Sequence, residues 1–233
     1  MFDSDVYDRD SSNSTNNAKL ISPTLFNAII GACLLWGFLV NWLLVVNIST
    51  ETLISIGVWY FLGGYFVSCL VGTLLFNYSK NPVVSFIGYT LVVIPFGLIL
   101  NLALSNYDQD LVLDAIQITG GVTLVMLLLG TMYPAFFERI APVLGTVLLI
   151  VMAIEIVQVF VLNIHQSWID WAVAVIFCGY IGFNWANANQ IPKTVDNAVD
   201  SAAALYIDII NLFIRVLSLL ASNDGSSDSA DDD

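Results

Sequence analysis

The run Lys193-Thr194-Val195-Asp196-Asn197-Ala198-Val199-Asp200-Ser201-Ala202-Ala203-Ala204-Leu205-Tyr206-Ile207-Asp208-Ile209-Ile210-Asn211-Leu212-Phe213 decides how this chain is read. From Ala202 onward it is apolar enough to cross a bilayer, yet Asp208 stands in its middle. A carboxylate at that depth costs several kcal/mol, roughly, unless it is paired, hydrated or protonated. On a helix, Asp196, Asp200, Ala204 and Asp208 recur every fourth residue and share one face. They form an acidic lane that runs from one membrane surface toward the centre, and the rest of the chain is expected to bundle around it.

Composition agrees. Of 233 residues, 58 % are hydrophobic and only 11 % charged, and the mean hydropathy is +0.84. Soluble domains carry about a quarter charged residues, so the class is integral membrane protein. The net charge of −13 is concentrated at the ends. Asp3, Asp5, Asp8 and Asp10 precede Lys19, and Asp224, Asp228, Asp231, Asp232 and Asp233 follow Asn223. Those Ser/Asn/Asp-rich tails, 1–22 and 222–233, are expected to be disordered and solubilising, flanking a transmembrane domain over 23–221. No basic region followed by an apolar core opens the chain, so no signal peptide is expected. Cys33, Cys69 and Cys178 lie inside apolar runs and read as small packed or lipid-facing residues. His165 reads as a loop histidine.

Spans of about twenty apolar residues fall at Thr24–Val46, Leu53–Phe76, Pro82–Leu104, Leu111–Met132, Ile140–Leu162, Trp168–Ala186 and Ala198–Ala221. Pro23, Pro82 and Pro142 are expected near helix starts, where a missing N–H is harmless. Pro95, with Gly97 beside it, is expected to kink or break the third span. Arg9, Lys19, Lys80, Arg139 and Lys193 all fall on alternate connections, which puts the N-terminus inside and the C-terminus outside. Arg215, late in the seventh span, is expected to snorkel outward rather than fold back toward Asp208.

Few other ionisable groups lie at depth. Glu155, one turn before Gln158, suits either structural pairing or a site role. Asp114 and Asp170 read as first-turn acids that complement a helix dipole, and Asp196 and Asp200 admit that reading too. Asn27, Asn41, Asn101, Gln117, Gln158, Asn184 and Asn187 suit interhelical hydrogen bonding. Burial favours the neutral form of Asp208, and its oxygens suit a hard cation such as calcium. One carboxylate with amide neighbours is thin coordination, so transient passage of calcium or protons fits better than storage. An enzyme is not expected. The last span has no Schiff-base lysine for retinal, no serine–histidine pair is embedded, and the Gly-x-Gly-Asp of intramembrane aspartyl proteases is absent. No cofactor and no nucleic-acid partner are expected, only the bilayer, the ions and membrane-protein partners.

Leu205 to Phe213 resembles the final-helix signature of the Bax inhibitor-1 (transmembrane BAX inhibitor motif) family. Gly179-Tyr180-Ile181-Gly182-Phe183-Asn184-Trp185 is similar to the motif that precedes it, and Lys193 to Ser201 to the linker of the bacterial branch. The resemblance implies six helices wrapped around the seventh, a bacterial plasma-membrane location, and a pH-sensitive calcium leak. It further implies an aspartate of the sixth span sharing a proton with Asp208. That position is Asn184 here, which cannot titrate, so pH gating is expected to be altered or moved to Glu155 or Asp200. The alternative within the family is a non-conducting adaptor that regulates membrane proteases or stress machinery.

Overall fold

The structure is a computed structural model that describes residues 19–158 and 167–227. The expected tail disorder and His165 fall largely or wholly outside those residues. Among the described residues there are eight α-helices and no strand: α1 (Pro23–Asn47), α2 (Thr50–Ser55), α3 (Val58–Tyr78), α4 (Pro82–Leu104), α5 (Gln109–Met132), α6 (Pro134–Val157), α7 (Ser167–Gln190) and α8 (Val195–Ser227). All but α2 are long and apolar enough to cross a membrane, which gives seven spans. The chain is a multi-pass α-helical membrane protein.

Helix starts follow local chemistry. Ser22 caps α1 by accepting from Leu25 N–H at 3.2 Å, with Pro23 next. Asn81 caps α4 by accepting from Val83 N–H at 3.0 Å, with Pro82 next. Both pair a side-chain acceptor with a proline that has no N–H to satisfy.

Several boundaries differ from expectation, among them the last helix, which runs from Val195 to Ser227 and not from Ala198 to Ala221. The second span was expected to run on from Leu53, but Ser49 caps the separate α2. Gly57 then takes φ +84° before α3 begins, a left-handed conformation that favours glycine. The fifth span was expected from Ile140. Instead α6 starts at Pro134, and Glu138 accepts a hydrogen bond from Gln190. Pro142 therefore lies inside α6 and not near its start.

Pro95 breaks nothing. Helix α4 continues through it. A proline leaves the carbonyl four residues earlier without its helical donor, and here Ser68 of α3 donates its hydroxyl to Leu91 O at 2.6 Å.

Burial ranks the spans. Of each span's most apolar stretch, 61 % is buried in α8 and 56 % in α7, against 6 % in α3 and in α6. Helix α8 is thus central, as expected, but six helices do not encircle it evenly. Helices α7, α1, α5 and α4 pack along it, α3 packs chiefly on α4, and α6 chiefly on α7. Small residues set the closest crossings, the usual device for bringing membrane helices together. A Cβ on Gly72 of α3 would stand 2.5 Å from Gly88 O of α4, and one on Gly130 of α5 would stand 2.5 Å from Gly182 O of α7.

Beside α8 the core is aromatic. Tyr206 is fully buried, edge-on to Tyr89 at 5.5 Å between ring centroids. Its hydroxyl and the Asn41 side chain exchange hydrogen bonds at 2.8 and 3.0 Å. Asn101 staples the end of α1, donating to Leu44 O, Val45 O and Ile48 O at 3.2, 3.2 and 2.7 Å. These two asparagines act as the interhelical polar contacts expected of them, whereas Asn27, Gln117 and Asn187 are exposed.

Candidate functional site: the polar stripe of α8

The stripe begins at the α7–α8 connection. There the Lys193 ammonium lies 4.7 Å from the centre of the Phe26 ring and donates to Ala188 O at 2.5 Å. Desolvation at this seat lowers the Lys193 pKa from its ordinary value. Ile21 N–H donates to Lys193 O at 2.8 Å, which fastens the chain ahead of α1 to the entrance of α8.

In the first turn of α8, Asp196 accepts from the Ser85 hydroxyl of α4 at 2.7 Å. Asp200 follows on the same face, half-buried, with its Oδ1 buried and unpartnered among the described residues. Two turns further, Asp208 is only 6 % exposed. Its Oδ2 accepts from the Asn184 amide of α7 at 2.6 Å. The amide replaces part of the lost hydration without supplying charge, so the site holds one carboxylate and one neutral partner. Tyr180 stands one turn from Asn184 on α7, so the hydroxyl-bearing ring and the amide share a face of that helix. Among the described residues no three His, Cys, Asp or Glu side chains gather closely enough to hold a metal ion together. The three cysteines are free thiols.

Toward the other end of the bundle lies a second polar group. Arg215 does not snorkel and does not reach back to Asp208. Its Nη1 and Nη2 donate to the Glu155 carboxylate of α6 at 2.7 and 2.8 Å, a two-pronged pair. The same Nη1 donates to Asp170 of α7 at 2.7 Å. Ser218, one turn along α8, donates to the other Asp170 oxygen at 2.8 Å. Asp170 lies in the first turn of α7, as expected, and at 1 % exposure it is also a buried counter-ion. Glu155 is paired with an arginine. The signal that would have found this is Arg215 itself. Arginine keeps its charge, so within an apolar helix it demands carboxylates from its neighbours.

The structure thus brings Asn184 to Asp208 and Glu155 to Arg215, aligns Asp196 and Asp200 below them on α8, and adds Ser85, Asp170 and Ser218. A membrane-embedded bundle whose most buried helix carries a stripe of carboxylates, with a lone acid at mid-span, defines a multi-pass protein with an ionisable interior. Sequence comparison narrows that class. The family model described as inhibitor of apoptosis-promoting Bax1 matches residues 20–225, and the chain belongs to that family. Bax inhibitor 1 of Schizosaccharomyces pombe is 28 % identical over 170 residues, covering 70 % of this chain and 61 % of the relative. LIFEGUARD 2 of Arabidopsis thaliana is 28 % identical over 158 residues, covering 65 % and 64 %. LIFEGUARD 1 of the same plant is 33 % identical over 90 residues, covering 37 % of each. The matches span less than two thirds of the length of these relatives.

Proposed function

We propose that the α8 stripe is a path for a calcium or proton-linked cation leak across the membrane, and that the protein acts without enzymatic chemistry. The observation that carries this reading is Asp208, buried mid-helix against a single neutral amide. A carboxylate kept there at such a cost is accounted for by a cation or proton that uses it. Asp196 and Asp200 extend the negative potential from Asp208 to the α7–α8 end, which concentrates cations at that mouth. We further propose that this end is cytoplasmic. Lys19, Lys80, Arg139 and Lys193 lie at it, as the positive-inside rule requires. The linker from Lys193 to Ser201 supports a bacterial plasma membrane, whereas the relatives named above come from a yeast and a plant.

The test is calcium uptake into liposomes carrying wild-type protein or Asp208→Asn. The reading expects wild type to conduct and Asp208→Asn to lose most of the flux. Equal flux in the two removes Asp208 from the path, and no flux in wild type from pH 5 to 8 removes the leak.

A second reading has its own support. Helices α3 and α6 each pack chiefly on one neighbour, which leaves broad apolar sides open to a partner's membrane helix, and the yeast relative bears the name of an inhibitor of another protein. Recovery of a stoichiometric membrane partner, with no flux, favours that adaptor role.

A further inference from the structure

We infer that Arg215, Glu155 and Asp170 form a latch that closes the α6–α7 half of the α8 path. The inference rests on the cation-path reading of the stripe. Arg215 follows Asp208 by seven residues, which places it on the same face and roughly 10.5 Å further along the helix. A fixed guanidinium at that point stands in the way of any cation leaving Asp208 in that direction. It is held there from outside α8, by α6 through Glu155 and by α7 through Asp170.

Three features distinguish this ion set from a static brace. Helix α6 has little packing on α8, so the Glu155–Arg215 pair is its main tie to the central helix. The side chains of Arg215 and Glu155 are 21 % and 23 % exposed, while Asp170 is 1 % exposed, so the contact has a fixed arm and a reachable arm. And one nitrogen, Nη1, serves both carboxylates at 2.7 Å, so the guanidinium can leave Glu155 and stay anchored on Asp170. Release of the reachable arm swings the positive charge off the stripe and frees α6 from α8.

The test reads access directly. Asn211 is half-buried on the stripe between Asp208 and Arg215. Asn211→Cys is introduced into full-length protein with Cys33, Cys69 and Cys178 replaced by alanine, and labelled in liposomes with a cationic, membrane-impermeant methanethiosulfonate. Removing all three charges together (Glu155→Gln, Asp170→Asn, Arg215→Gln) avoids stranding a buried ion. The latch expects this triple variant to raise the labelling rate roughly tenfold by favouring the open form, with Ala198→Cys at the far end of α8 unchanged. Glu155→Gln alone, which leaves the Asp170 anchor, gives an intermediate rate and serves if the triple variant does not fold. An unchanged rate at Asn211→Cys overturns the latch, as does an equal rise at Ala198→Cys, which means general loosening. Labelling does not depend on flux. Faster labelling with no calcium uptake in any variant retains the latch and sinks the leak.

Discussion

The Asn184 amide of α7 and the Asp208 carboxylate of α8 meet at 2.6 Å in the middle of the bundle. The contact joins the two most buried spans and puts a neutral donor where a second acid would create a shared-proton pair. A carboxylate with an amide partner loses or gains its proton in one step. Two carboxylates at the same separation titrate as a unit in two steps.

Replacing Asn184 by Asp is therefore expected to install a pH switch. At low pH the pair shares one proton and ties α7 to α8. As pH rises and that proton leaves, two negative charges repel each other and attract calcium. Uptake by liposomes carrying Asn184→Asp is expected to climb by roughly tenfold between pH 5 and 8, the effect of about 1.4 kcal/mol between the two states, while wild type changes far less. A profile in the variant that overlays wild type contradicts this.

Asp208→Asn is expected to leave the fold intact. The variant exchanges a buried carboxyl for an amide that still pairs with Asn184, so it removes the cost of ionising a buried group. The midpoint of thermal unfolding in detergent stays level or rises while calcium flux falls. A large drop in the midpoint assigns Asp208 to structure instead.

The seven spans and the central last helix were legible because a bilayer imposes length and apolarity on every crossing helix. So was Asp208, since one acid in an apolar helix is visible without knowledge of its surroundings. The partners of the charges were not. Asp170 is the helix-start acid it looked like, but position in sequence says nothing about which side of a helix faces the bundle, so its pairing with Arg215 was hidden. Arg215 looked free to snorkel because Glu155 and Asp170 reach it from 60 and 45 residues away. The break at Gly57 was hidden too, since the hydropathy of Leu53 to Phe76 runs straight through it. Unequal packing around α8, with α3 and α6 on the periphery, depends on contacts that composition cannot rank.

Asn101 is the cap of a neighbouring helix, and its amide cannot be replaced by an acid of the same shape. Asn101→Asp turns a donor to Leu44 O, Val45 O and Ile48 O into an acceptor facing three carbonyls, beside Thr50, whose hydroxyl donates to Asn101 Oδ1 at 3.1 Å. Asn101→Ala only removes the shared donor, and Leu44 O keeps its bond from Ile48 N–H, at a cost of about 1 to 3 kcal/mol. Equilibrium unfolding in mixed micelles should rank Asp below Ala and Ala below wild type. Asp and Ala of equal stability contradict the staple.

Ser68 and Pro95 make the sharpest test of the packing, because the two residues are linked by an absence. Pro95 has no N–H for Leu91 O, and Ser68 supplies the missing donor at 2.6 Å. Ser68→Ala strands that carbonyl in an apolar setting and is expected to cost about 1 kcal/mol, within the range for interhelical hydrogen bonds in membranes. Pro95→Ala restores the backbone donor within α4. In that background Leu91 O is satisfied by its own helix, so the cost of Ser68→Ala is expected to shrink toward zero. The four proteins form a double-mutant cycle whose coupling term isolates this one contact. A cost of Ser68→Ala that is the same with and without Pro95 means that the serine hydroxyl does nothing for the proline. The uninterrupted course of α4 would then rest on packing with α3 alone, at the Gly72–Gly88 crossing.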